Sequence, residues 1–115
     1  MPVQRKDRGR MSNPLDVIRD ADAELFEQMS NTRELAFQEG ALSQKHKILI
    51  ALAIDAVEHS EGGVHSLALQ ALKAGATQAE IMETLRVAYQ ICGVGCIYAA
   101  ARGLQGVFES ISETQ

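Results

Sequence analysis

At 115 residues, with 46% hydrophobic, 4% aromatic and 23% charged side chains, the chain has the size of one domain and too little length for several. Its apolar fraction excludes a disordered chain, and two cysteines exclude a disulfide scaffold. The longest apolar run, residues 48–57, contains Asp55 and falls short of the roughly 18 residues a membrane span needs, so no membrane partner is expected.

The formal charge of −4 is unevenly spread. Arg5, Lys6, Arg8 and Arg10 against Asp7 give the first ten residues +3; the remaining 7 basic and 14 acidic residues make the body −7. An acidic body argues against a nucleic-acid partner. The basic tip lacks aromatic residues that could stack on bases, so residues 1–12 read as a disordered tail, with Met11 as an alternative start. No apolar stretch follows the basic residues, so no secretory signal is expected and the cytoplasm is the expected setting.

Proline occurs only at positions 2 and 14, and no strand-length alternation of Val or Ile with polar residues appears, so helix is expected throughout 13–110. Asn13 caps a first helix with Pro14 at its first position. Leu15, Ile18, Ala21, Leu25 and Met29 follow at helical spacing, the pattern loosens at residues 30–32, and Gly40 ends it. Ser43 caps a helix over about 44–58 that is apolar on every side, which in so short a chain predicts cover from other subunits. A break at residues 59–63 follows, with Ser60 as a cap for a helix carrying Val64, Leu67, Ala68, Ala71 and Leu72, ended by Gly75. Thr77 and Glu80 form a capping box. The stripe behind it, Ile81, Leu85, Ala88, Cys92, Cys96, Ala99, Gly103, Val107, would run roughly 45 Å as one helix. A break is therefore expected near residues 93–95. Small residues crowd its second half and predict close helix packing. Residues 111–115 read as a frayed tail.

Three segments resemble the carboxymuconolactone decarboxylase and alkylhydroperoxidase D-like family. They are Leu42-Ser43 to Lys47 leading into 49–53, the stretch Ala71-Leu72-Lys73-Ala74-Gly75-Ala76-Thr77, and Glu80-Ile81-Met82-Glu83-Thr84-Leu85. The resemblance covers about 25–108. It implies an all-α, compact helical-hairpin bundle that assembles as a homotrimer or homohexamer. The peroxidase branch of that family carries Cys-x-x-Cys-x-x-x-His at the start of its third helix, with a glutamate twelve residues before the first cysteine. Its thiolate attacks peroxide and a disulfide forms with the second cysteine. Counting in from both flanks puts these four groups at Ile48, Ser60, Gly63 and Leu67. All four have been lost. The decarboxylase branch also keeps the histidine, so Leu67 departs from that chemistry too. A two-residue slip would bring His65 to the histidine position, with Glu58 and Glu61 at the cysteine positions, but it needs compensating gaps on both sides.

Other constellations each have a plainer reading. Cys92 and Cys96 are spaced i, i+4 on one face, near the upper end of the Cα separation a disulfide accepts. They are either small buried hydrophobes beside Gly93 and Gly95, or thiols displaced from the third helix to the fourth. Glu61 and His65, also i, i+4, form a weak candidate metal pair beside His46, His59 and Glu58; the plain reading is a polar hairpin tip. Ser60 as a nucleophile lacks a visible base and third group, so a cap is the expected role. Tyr98 is expected in the core or on a pocket wall. No phosphate loop or dinucleotide fingerprint occurs, and no cofactor is expected.

Two functions remain open. The first is a non-catalytic oligomeric scaffold or small-molecule binder, with a dry, apolar remnant of the family site at Ile48 and Leu67. The second is an enzyme of thiol-dependent peroxide chemistry, or of lactone or acid decarboxylation, with Cys92, Cys96 and His65 as displaced catalytic residues.

Overall fold

The computed structural model describes residues 13–109, and six helices lie between residues 16 and 104 of that stretch. They are α1 (Asp16–Ala21), α2 (Ala23–Phe37), α3 (Gln44–Val57), α4 (Glu61–Lys73), α5 (Gln78–Cys92) and α6 (Val94–Leu104). No strand occurs among the described residues. The disordered tail expected at residues 1–12 and the frayed tail expected at 111–115 lie outside the described residues. The helices divide into two units, 1–36 and 37–115.

In the first unit, Asn13 Oδ1 accepts from the Leu15 amide at 2.8 Å, as its position before Pro14 predicts. The expected loosening at residues 30–32 is not where the helix breaks. It breaks at Asp22, whose backbone leaves the helical region (φ −151°, ψ 83°). Its carboxylate accepts from the Leu25 amide at 3.0 Å. The short acceptor of Asp22 satisfies a free amide of the next helix, and this competes with continuing the first. Neither helix has a buried residue. Leu15, Leu25 and Met29 keep 37–46% of their surface exposed, so the stripe they form has no core within this unit.

In the second unit, α3 through α6 enclose one core. Leu52, Ala56, Val64, Ala68, Ala71 and Ile81 are fully buried at its centre. Ser43 caps α3, accepting from the His46 amide at 3.1 Å. The helix buries only Ile48, Leu52 and Ala56. Ile50 and Ile54 on its other faces stay about half exposed, in keeping with a helix apolar all round.

The α3–α4 connection is shorter than expected. Gly62 and Gly63 belong to the first turn of α4, and the break is confined to residues 58–60. Ser60 holds the N-cap position, but its hydroxyl makes no cap hydrogen bond. At the other end of α4, Gly75 takes φ +103°. The Gly75 amide donates to the Leu72 carbonyl and the Ala76 amide to the Ala71 carbonyl. This is the paired C-terminal bonding of a helix closed by a left-handed residue.

The capping box at α5 forms in full. The Glu80 amide donates to Thr77 Oγ1 at 3.1 Å, and Glu80 Oε1 accepts from the Thr77 amide at 2.9 Å. The long stripe breaks at Gly93, with φ 85° and ψ −171°. That backbone region is essentially reserved for glycine. Beyond it, Cys96, Ala99, Ala100 and Gly103 of α6 are buried, and the small residues do bring α6 close to α4. A Cβ at Gly103 would come 2.7 Å from the Glu61 carbonyl oxygen and 2.9 Å from Val64 Cβ.

Candidate functional site

Of the four positions that would carry peroxidase groups, Ile48 lies on α3, Ser60 at the N-cap of α4, and Gly63 and Leu67 on α4. Ile48 is 5% exposed and Leu67 8%, and both belong to the core cluster. Gly63 faces the carboxylate of Asp55, which projects from α3. A Cβ built at Gly63 would overlap that carboxylate and come 2.8 Å from Ser60 Oγ. A cysteine at position 63 would need Asp55 to move. Burial raises the Asp55 pKa above the ordinary aspartate value, and the negative Glu58 nearby adds to the rise. Sequence reading missed Asp55. A single acid inside an otherwise apolar ten-residue run was the available signal.

His65 is held against α6. Its Nδ1 lies 2.9 Å from the Gly103 carbonyl oxygen, so Nδ1–H donates to a backbone acceptor on α6. Its neighbour Glu61 accepts from Arg102 Nε, also across to α6. Both groups of the suggested metal pair thus tie α4 to α6. No group of three or more His, Cys, Asp or Glu suited to a metal occurs among the described residues.

Cys92 and Cys96 are joined as a disulfide, with a Cα–Cα distance of 6.2 Å. Cys92 is the last residue of α5 and is half-buried; Cys96 lies in the first turn of α6 and is fully buried. The reading of two independent buried hydrophobes therefore gives way to a linked pair, and the bond spans the helix break at Gly93. His59 rather than His65 lies against this turn: a Cβ at Gly95 would come 3.4 Å from His59 Cε1. His59 takes φ 60°, in the left-handed region that non-glycine residues rarely adopt. Nothing in the sequence singled His59 out from the other two histidines.

Among the described residues of the second unit, two concavities bear on the site. A polar one of about 400 Å³ is lined by Glu39, Ser43, Lys45, His46 and Gly75. Its groups are engaged: Ser43 Oγ is 2.7 Å from His46 Nδ1, and Lys45 Nζ donates to Glu80 Oε2 at 3.0 Å. The Thr77 amide, first, and Lys45 hold the Glu80 pKa below the usual glutamate value. The second, an apolar groove of about 270 Å³, runs between α3 and α5. Ile54, Val57, Val87 and Ile91 line it, with Glu58 as the charged group. The tyrosines do not pack in the core. Tyr89 is 49% exposed and Tyr98 63%.

The model of the carboxymuconolactone decarboxylase family matches residues 23–105. The chain belongs to the carboxymuconolactone decarboxylase family. Among solved structures it is similar to apo-lpg0406, a carboxymuconolactone decarboxylase family protein from Legionella pneumophila. The two share 30% identity with a TM-score of 0.77 over 83% of this chain and 85% of that one. No match is found among curated proteins. The family and the all-helical fold read from the three sequence segments are thus both upheld. No described helix is long and apolar enough to cross a membrane.

Proposed function

We propose that this chain is a non-catalytic member of its family that works as a homo-oligomeric helical scaffold. The observation that carries the reading is the fate of the family's reactive positions. Ile48 and Leu67 are packed into the core, and the backbone at Gly63 lies under the Asp55 carboxylate. The second cysteine, at Gly63, and the histidine, at Leu67, have no room there unless Asp55 or the core moves.

Self-association is supported by the apolar surface the single chain leaves open. Ile54 and Val57 of α3, with Val87 and Ile91 of α5, are 40–79% exposed around one groove, and Ile50 of α3 is 48% exposed. Adjacent large apolar side chains left open in this way mark interaction surfaces. The assembly is a homotrimer or homohexamer, and the setting is the cytoplasm. A small apolar ligand is the second reading, favoured by the concave shape of the same groove.

Size and activity together test the proposal. The purified protein is expected to run as a discrete oligomer, and to consume hydroperoxide or decarboxylate a muconolactone no faster than buffer. Turnover that survives Cys92→Ser and Cys96→Ser would show that the family site still works, and a monomer at tens of micromolar would remove the scaffold. Saturable stabilisation by an apolar ligand, abolished by Ile54→Glu, would favour the binder.

A further inference from the structure

We propose that Cys92 and Cys96 form a reversible thiol–disulfide site that exchanges with low-molecular-weight disulfides and dithiols and locks or frees the α5–α6 junction. This proposal is independent of the scaffold reading, because it uses none of the family's motif positions.

The argument starts from the backbone. Two residues four apart on an unbroken helix hold a fixed separation and direction. Here Gly93 turns the chain out of α5 with a backbone that glycine alone adopts readily. The sulfurs meet across that turn at a Cα separation of 6.2 Å, inside the range disulfides use. The bond closes a loop of only three intervening residues, so it restrains the unfolded chain little. A pair placed for global stability would span a longer loop. This one fixes a single joint between two helices.

The two sulfurs differ in access. Cys92 is half-buried, whereas Cys96 is 0% exposed. An incoming thiolate therefore reaches Cys92 Sγ. Its electron pair forms a mixed disulfide with Cys92 as the Sγ–Sγ bond breaks, and the released pair stays on Cys96 Sγ in the first turn of α6. A helix N-terminus favours negative charge at that place. Once protonated, the Cys96 thiol can donate to the Gly93 carbonyl oxygen, 3.2 Å away. A second thiolate then attacks the mixed disulfide and releases Cys92. The net change is protein disulfide plus two thiols giving protein dithiol plus one small disulfide; oxidation is the reverse.

The joint is also placed to be felt at the surface. Ile91, Val94 and Tyr98 surround it with 79%, 60% and 63% exposure. A bond that fixes α5 against α6 fixes how these three side chains stand relative to one another.

The test is a redox titration of the full chain in glutathione buffers under native conditions, read by mass. The expected result is complete, reversible interconversion of forms about 2 Da apart, the mass of two hydrogens. Amide hydrogen exchange over residues 92–97 should accelerate in the reduced form, while the centre of α4 stays protected. Single variants then fix the order of attack. Cys96→Ser should retain one glutathione on Cys92, and Cys92→Ser should leave Cys96 unmodified until unfolding, a difference in labelling rate of at least about 10-fold. A pair that stays reduced in oxidised glutathione, or a disulfide that native dithiothreitol cannot open, would overturn the proposal. Equal labelling of the two single variants would overturn the order of attack.

Discussion

Replacing Gly103 by alanine puts the close crossing of α4 and α6 to a quantitative test. A methyl group there would sit 2.7 Å from the Glu61 carbonyl oxygen, 2.9 Å from Val64 Cβ and 3.0 Å from Val64 Cγ1. The first is backbone and the second is fixed to a buried helix, so neither can swing aside. Separating the helices would also stretch the hydrogen bond from His65 to the Gly103 carbonyl. Overpacking of this kind costs typically about 1–3 kcal/mol. Alanine regains up to about 1 kcal/mol over glycine in a helix interior. Taking the middle of the first range, about 2 kcal/mol, a net loss of about 1 kcal/mol remains, or a fall in Tm of roughly 4–8 °C for a domain of this size. Gly62 on α4 supplies the control, since a Cβ there meets nothing within 4 Å. Gly62→Ala should raise stability by about 0.4–1 kcal/mol. Urea denaturation and calorimetry of both variants read the pair. An unchanged or raised Tm in Gly103→Ala would refute the crossing and the account of why α6 is rich in small residues.

Further predictions bear on the joint, the histidine tied to α6 and the acids. Gly93→Ala should cost about 1–3 kcal/mol from its backbone conformation alone and slow closure of the Cys92–Cys96 bond, measured by urea denaturation and thiol trapping. His65→Ala should lose about 0.5–1.5 kcal/mol of stability and leave the thiol–disulfide equilibrium of Cys92 and Cys96 unmoved, as befits a tie between helices. Glu80 binds its proton less readily in the fold than in the unfolded chain. Its contribution is therefore present above the usual glutamate range and lost as pH falls through the lowered value. Denaturant midpoints against pH should show a shallower acid limb in Glu80→Gln. Asp55 has the opposite sign: its pKa is raised, so ionisation weakens the fold as pH climbs from the usual aspartate range through the raised value. Asp55→Asn should be at least as stable as the parent at neutral pH and lose that advantage at low pH, in the same midpoint series.

The helices were legible because their signals are local. Ser43, Thr77 with Glu80, and Gly75 each satisfy or terminate backbone groups within a few residues of themselves, so their roles need no tertiary context. The family followed from short segments beside those same turns. What escaped the sequence depends on contacts across the chain. Asp22 resembled any other surface acid until its carboxylate was seen to cap α2. Ser60 occupies a cap position, yet its hydroxyl lies beside Gly63 and Asp55. His65 drew attention by its distance in sequence from a lost histidine. Its partner is a backbone carbonyl 38 residues away, which no spacing rule reveals. The cysteines were recognised as a pair, but whether their side chains converge is decided by the backbone of Gly93.

If the chain keeps the family's fold, gives its reactive positions to packing and assembles through the exposed α3–α5 face, its size in solution depends on that face. Sedimentation velocity of the parent and of Ile91→Glu tests it most directly, because Ile91 is 79% exposed in the single chain and a charge there should not disturb folding. The expected result is a discrete trimer or hexamer of the 12.5 kDa chain that dissociates in the variant while helical circular dichroism is retained. A parent that sediments as a monomer at tens of micromolar, or a variant with unchanged assembly, would contradict it.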